Sequence, residues 1–147
     1  MLTAGGRMDI VELGLRHPAR EVALPVLQEL RTGLTGTQLE EVLVEGAPQG
    51  LRFSAVLDGG RCLAVAGWRI VATTGALRKL YVDDLVTSAE GRSRGTGALL
   101  LAELERRARE AGCHLLDLDS GVQRHAAHRF YLRERMDITA HHFAKTL

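Results

Sequence analysis

The run Ser88-Ala89-Glu90-Gly91-Arg92-Ser93-Arg94-Gly95-Thr96-Gly97 holds the residue types best suited to chemistry. Its glycines let the backbone approach a ligand closely. Successive amide N–H groups entering a helix N-terminus form an anion site with the positive end of the dipole behind it. Arg92 and Arg94 stand at its centre, and a phosphate is the guest that such a site suits. Two common nucleotide motifs do not fit: no Lys-Ser/Thr pair follows Gly97, as a Walker loop requires, and Leu100 stands where the third glycine of GxGxxG belongs. A glycine-rich turn with a purely structural duty is the alternative on these residues alone.

Other candidates lie on either side. Asp83 and Asp84 are adjacent carboxylates in a strand pattern and are expected to face opposite ways, because strand side chains alternate. Ala127, Phe130, Tyr131 and Glu134 recur at i, i+3, i+4 and i+7, a stripe that fits core packing as well as placement of a tyrosine hydroxyl. His125 with His128, and His141 with His142, invite a zinc reading. Adjacent strand residues diverge, however, and no third ligand of convincing spacing joins them, so no metal is expected. Cys62 and Cys113 are too far apart for a CxxC motif and too few for a disulfide scaffold; both are expected to be reduced, buried and structural, and Trp68 to pack in the core.

The elements that must position these residues are legible from periodicity. Residues 9–13 read as a first strand, and Pro18 opens a helix with Val22, Leu24, Val26, Leu27 and Leu30 on its apolar face and Pro25 as a kink. A second helix is expected from about Thr37 to Glu45, ended by Gly46, Pro48 and Gly50. Residues 51–57 alternate with period 2, Asp58-Gly59 is a hairpin signal into residues 62–68, and a turn at Thr74-Gly75 leads into a strand from about Ala76 to Thr87. Three antiparallel strands follow. A helix from Thr96 to Ala111 carries Glu103/Arg107 and Glu105/Arg109 pairs at i,i+4 and stops at Gly112. A buried strand at 114–118, a helix near His125 to Arg135 and a last strand near Ile138 to Phe143 complete the pattern. The fold class is therefore α+β, a mostly antiparallel mixed sheet flanked by about four helices in the order β-α-α-β-β-β-α-β-α-β.

Composition narrows the partners. The chain has 147 residues, 46% hydrophobic and 25% charged, with a net charge of +1. That suits one globular domain, assigned to residues 8–147, with residues 1–7 ahead of Met8 expected to be a disordered leader. Of the 19 basic residues 17 are arginine, and nine of these lie between Arg92 and Arg135. Interleaved acidic residues leave a net charge of only +3 over 91–135, too weak a field for a nucleic-acid partner. No apolar run approaches the roughly 20 residues of a membrane span, and no secretory pattern opens the chain, so a cytoplasmic protein with no membrane partner is expected.

The segment Leu85 to Gly97 resembles the Arg/Gln-x-x-Gly-x-Gly/Ala acetyl-CoA motif of the GNAT N-acetyltransferases, with Arg92, Gly95 and Gly97 in the motif positions. The order of elements is similar too, so the likeness spans nearly the whole chain. Within the family, Val122 to Glu134 and His142 to Leu147 look most like the aminoalkylphosphonate N-acetyltransferases. The resemblance implies acetyl-CoA as cosubstrate, with its pyrophosphate on the backbone of Gly91, Arg92, Ser93, Arg94, Gly95, Thr96 and Gly97. The strand end Leu85, Val86 and Thr87 would pair with pantetheine. It also implies a carboxylate base at Asp84, acting through water, and Tyr131 as donor to the leaving thiolate. Arg124 departs from the family's usual Asn, and Arg135-Met136 stands where a Gly-aromatic pair is common. A left-handed backbone at Arg135 would cost about 1 kcal/mol.

Acetyl transfer to an amine needs a neutral nucleophile and a proton for the departing thiolate. A free alkylamine has a pKa near ~10, so a base must take its proton at neutral pH. Neither cysteine is near the motif, which favours direct attack in a ternary complex over an acetyl-cysteine intermediate. The expected acceptor is a primary amine of a small molecule: an aminoalkylphosphonate, an amino acid, a polyamine or an antibiotic-like amine. A phosphonate would need further cations, and Arg31, Arg52, Arg69 and Arg78 are available. The rival readings are an acetyltransferase acting on protein lysines or N-termini and a non-catalytic acyl-CoA-binding regulatory module. Dimers are frequent in the family, so a homodimer is among the expected assemblies.

Overall fold

The hairpin signal at Asp58-Gly59 sits at the centre of a five-stranded sheet in a computed structural model that describes residues 7–147. The strands β1 (Met8–Leu13), β2 (Arg52–Asp58), β3 (Arg61–Val71), β4 (Lys79–Thr87) and β5 (Leu115–Leu118) lie side by side in chain order. β1 to β4 pair antiparallel, and β5 follows a crossover helix, so the sheet is mixed. The helices are α1 (Arg20–Leu30), α2 (Gly36–Gly46), α3 (Ala89–Ser93), α4 (Thr96–Glu110) and α5 (His125–Arg133), with a 3-10 turn at Ala47–Gln49. Residues up to Asp117 form one compact unit and Leu118–Leu147 a second. Residues 1–6 of the expected leader lie outside the described residues; Arg7 pairs with Asp9 at 3.1 Å.

The first unit buries apolar side chains on both faces of the sheet. On one face Ala23, Val26 and Leu27 of α1 and Leu39 and Leu43 of α2 pack with Phe53, Ala55, Val65 and Val86. The buried stripe of α1 is not the expected one, because Val22 is exposed and Ala19 and Ala23 are buried. Positions 19, 23, 26, 27 and 30 keep the helical period, and the two alanines let the helix sit close to the sheet. A reciprocal capping box starts α2, with Thr35 accepting from the Gln38 N–H at 3.1 Å and Gln38 accepting from the Thr35 N–H at 3.0 Å. On the other face Leu100, Leu101 and Leu104 of α4 are fully buried, as is Trp68, whose indole donates to Ser54 Oγ at 3.0 Å. The two expected i,i+4 pairs of α4 are present.

Several elements differ from their sequence pattern. β4 starts at Lys79 rather than Ala76 because Leu77 takes a left-handed φ of 64° and closes a turn onto Thr73. The run before α4 is not an open loop: Ser88 caps a one-turn helix, α3, by accepting from the Gly91 N–H at 3.0 Å. Among the described residues α3 brings the α-helices to five, beside the four of the expected order. The strand expected near 138–143 does not form. Ile138 and Phe143 are exposed, and residues 137–147 have no regular element. A strand needs a neighbour to satisfy its backbone, and alternation alone does not supply one. Cys62 is buried, with its thiol pushed up to about 11 by burial, whereas Cys113 is only half-buried.

Candidate active site

The chemistry-bearing part of β4 begins where its register slips. Gly67 of β3 faces Asp84 while the next residue, Trp68, faces Val82, so Asp83 is an extra residue in β4. This β-bulge breaks the alternation expected for the two aspartates. Both carboxylates turn to the α1–α2 side of the sheet. Asp83 takes a bidentate pair from Arg69 at 3.0 and 3.1 Å, and the same guanidinium reaches Gln49 beyond α2. Asp84 takes Arg31, at the C-terminal cap of α1, at 2.7 Å. Arg31 also donates to the Asp83 carbonyl at 3.2 Å. A Cβ on Gly67 would stand 3.2 Å from Asp84 Oδ2 and 2.8 Å from the Phe53 ring. The glycine is therefore what lets the carboxylate lie across β3, a signal the sequence carried without its being legible as such.

Beside this pair runs a groove of about 520 Å³. Leu30, Leu34, Leu39, Val42 and Phe53 give it apolar walls, and Arg31 and Asp84 supply its charges. Of the four arginines considered for an anionic acceptor, Arg31 alone lines it. Arg69 is held by Asp83, and the Arg52 guanidinium lies over the Trp68 ring at 5.6 Å. The Arg78 carbonyl accepts from the His114 N–H at 2.8 Å.

Past Asp84, β4 continues through Leu85, Val86 and Thr87 into α3. Leu85 and Val86 are buried and pair with Ala66 and Val65, and Thr87 pairs with Ala64. Arg92 is exposed and donates to the Thr87 carbonyl at 2.8 Å. Arg94 bridges to Asp58 at 2.5 Å and to Glu90 at 3.6 Å, while Arg61 also holds Asp58 and Glu90. The Arg94 contact holds the Asp58 carboxyl below the usual carboxylate range, against the raising effect of burial. Arg94 is thus paired with protein carboxylates and braces the segment against the β2–β3 turn. Ser93 Oγ donates to the Glu90 carbonyl at 2.8 Å.

Gly95 has a φ of 69° and caps α4 without any side-chain hydrogen bond. The first-turn amides of a helix have no partner within it; at the start of α4 no side chain caps them, Gly95 is exposed, and Thr96 and Gly97 behind it are buried. Thr96 is fully buried and its hydroxyl has no partner. Packing alone requires a glycine at 91. A Cβ there would run into the Leu63 carbonyl oxygen and the Thr96 hydroxyl. The segment thus presents an uncapped helix start at the exposed Gly95 and, in Arg92, an exposed cation.

In the second unit, Tyr131 is buried on α5. Burial raises its pKa, opposed by the nearby Arg124 guanidinium, so the hydroxyl keeps its proton at neutral pH. His128 Nε2 lies 2.8 Å from the Gly121 carbonyl, and His142 lies 3.6 Å from Asp119. Among the described residues no group of three or more His, Cys, Asp or Glu is placed to hold a metal ion. No helix among them is long and apolar enough to cross a membrane.

Residues 23–136 match the acetyltransferase (GNAT) family model. An uncharacterized N-acetyltransferase of Bacillus subtilis is 34% identical over 108 residues, covering 73% of this chain and 76% of the relative. The aminoalkylphosphonate N-acetyltransferase of Salmonella typhimurium is 39% identical over 66 residues, 45% of this chain and 43% of that protein. Among solved structures, the aminoglycoside N-acetyltransferase AAC(6')-Iy in complex with CoA superposes with a TM-score of 0.81 at 16% identity, covering 100% of this chain and 99% of the other, which shows a shared fold.

Proposed function

We propose, since the chain belongs to the acetyltransferase (GNAT) family, that it transfers acetyl from acetyl-CoA to a primary amine of a small molecule. The enzyme class follows from the family. The acceptor class and the site residues are our own reading, carried by one observation: β4 borders an apolar groove at Asp84 and runs on, three residues later, to the segment that enters the uncapped N-terminus of α4. A single strand thus serves an acceptor on one side and an anionic coenzyme at its end.

In this reading the start of α4 at Gly95, with Thr96 and Gly97 behind it, and the Arg92 guanidinium hold the coenzyme pyrophosphate. Gly91, Ser93 and Arg94 fix the shape of that cradle. The edge of Leu85, Val86 and Thr87 pairs with pantetheine and brings the thioester to the groove. The acceptor amine loses a proton to Asp84, directly or through water, and its nitrogen attacks the thioester carbon. A C–N bond forms and the C–S bond breaks, the thiolate leaves with a proton from the Tyr131 hydroxyl, and the second proton, which the nitrogen sheds as it becomes an amide, passes through water to restore that hydroxyl. No cysteine is needed as an acyl carrier: Cys62 is buried with a raised pKa, the opposite of an activated thiol.

The test is release of free thiol from acetyl-CoA across a panel of primary amines, beside a thermal-shift titration with acetyl-CoA and with CoA. Stabilisation by both, and thiol release that depends on a small amine, is the expected result. Stabilisation without release from any small amine would remove the acceptor assignment.

A further inference from the structure

Resting on the acetyl-transfer reading, the geometry points to an acceptor that is a small zwitterion, with an acid group beside its amine and an apolar substituent, held between Asp84 and Arg31. The two side chains present opposite charges 2.7 Å apart at one wall of the groove. An isolated ammonium brought to Asp84 meets the Arg31 guanidinium, and an isolated acid brought to Arg31 meets the Asp84 carboxylate. A ligand with both charged groups on one carbon satisfies both at once, its ammonium on Asp84 and its acid group on Arg31.

The pair is suited to such an exchange. The Arg31 side chain is 53% exposed and the Asp84 side chain 17%, and an ion pair open to solvent on one side is weak enough to exchange partners at little cost. Arg31 keeps a second anchor on the Asp83 carbonyl, so it stays in place while its carboxylate contact changes. Asp83 does not compete, because Arg69 already holds both its oxygens. The remaining walls are mostly apolar: Leu30, Leu34, Leu39, Val42 and Phe53 enclose room for a hydrocarbon side chain, in a volume ordinary for a small-ligand site. A polyamine or an amino-sugar would find one carboxylate there, already paired, and aliphatic walls opposite its other charges. Placing the ammonium on Asp84 also delivers it to the group that must take its proton.

Initial-rate kinetics with the full chain and acetyl-CoA test this with five acceptors: leucine, its aminophosphonate counterpart, leucinamide, isoamylamine and spermidine. Leucinamide keeps the α-amine but lacks the acid, and its lower basicity leaves more of its amine neutral, so a lower rate with it is not an effect of protonation. The expected result is a kcat/KM for leucine or the aminophosphonate about tenfold or more above all three acid-free amines. The ratio between the two zwitterions tells carboxylate from phosphonate as the source. Arg31→Gln is expected to lower kcat/KM for the zwitterions about tenfold more than for isoamylamine, with its thermal shift by acetyl-CoA serving as the folding control. Equal or better turnover of the acid-free amines, or an equal loss for every acceptor in Arg31→Gln, overturns the inference while leaving acetyl transfer standing. Absence of both thiol release and a thermal shift overturns the acetyl-transfer reading itself, and this inference with it.

Discussion

Tyr131 is a site where burial and charge oppose each other: removal from water raises its pKa and the Arg124 guanidinium pulls it back, with burial the larger effect. The hydroxyl therefore stays protonated at neutral pH, as the proposed donation to a thiolate requires. Tyr131→Phe is expected to lower kcat by about 100-fold while changing the KM for acetyl-CoA little, since general-acid catalysis contributes about that much. In the parent enzyme, the alkaline fall in kcat caused by losing this proton should lie above about pH 10, the ordinary tyrosine value. An unchanged kcat in the Phe variant takes Tyr131 out of the chemistry. The two aspartates teach a different lesson. Their identity as candidate carboxylates was legible, but not their direction, because strand alternation fails where one extra residue enters β4. Asp83 ends in a bidentate pair with Arg69 and Asp84 in the groove, a division of roles that adjacent identical residues cannot announce.

Elements were read best where one strong local signal fixed them. Asp58-Gly59 placed the hairpin, Gly112 the end of α4, and periodicity the α1–α2 pair. The one-turn helix α3 escaped because Ser88-Ala89-Glu90-Gly91 is too short to show a helical period, although Ser88 is a good cap. The packing of α3 explains why a glycine is needed at 91. Gly91→Ala should destabilise the fold by about 3 kcal/mol, as overpacking against rigid backbone does, measured by urea unfolding. The end of α5 makes the opposite case. The Met136 N–H reaches the Tyr131 carbonyl and the Arg135 N–H the Leu132 carbonyl, at 3.0 and 3.1 Å, which is a Schellman turn with arginine at a φ of 66°. Glycine relieves that strain but loosens the unfolded chain. Arg135→Gly is therefore expected to raise stability by about 0.5–1 kcal/mol, read from the same unfolding curves. The strand expected after α5 was misjudged because alternation over residues 138–143 cannot show whether a partner exists.

For the whole molecule, a net charge of +1 hides strong local pairing. Arg106 and Arg107 hold the Glu103 carboxyl down at about 2, and Arg94 keeps Asp58 below its ordinary range. Both groups bind protons more readily in the unfolded chain, whose carboxylates titrate near 4. Their contribution is thus fully present above about pH 5 and is lost as pH falls toward 2. The midpoint of urea unfolding should drop over that window, and Glu103→Gln should make the drop shallower; an unchanged slope would show that the α4 pairs do not stabilise the fold. In the first unit, α1 and α2 supply the groove walls, α3 and α4 form the segment proposed to hold the coenzyme anion, and β4 is the strand that borders both. Inheritance can therefore treat them separately. If the groove takes the acceptor as proposed, changes at Leu30, Leu34 or Val42 redirect which amine is chosen while the grip on the acyl donor is passed on intact, so descendants of one ancestral chain diverge in acceptor and still share a donor. The same division makes the groove the place to begin directed evolution toward a new acceptor.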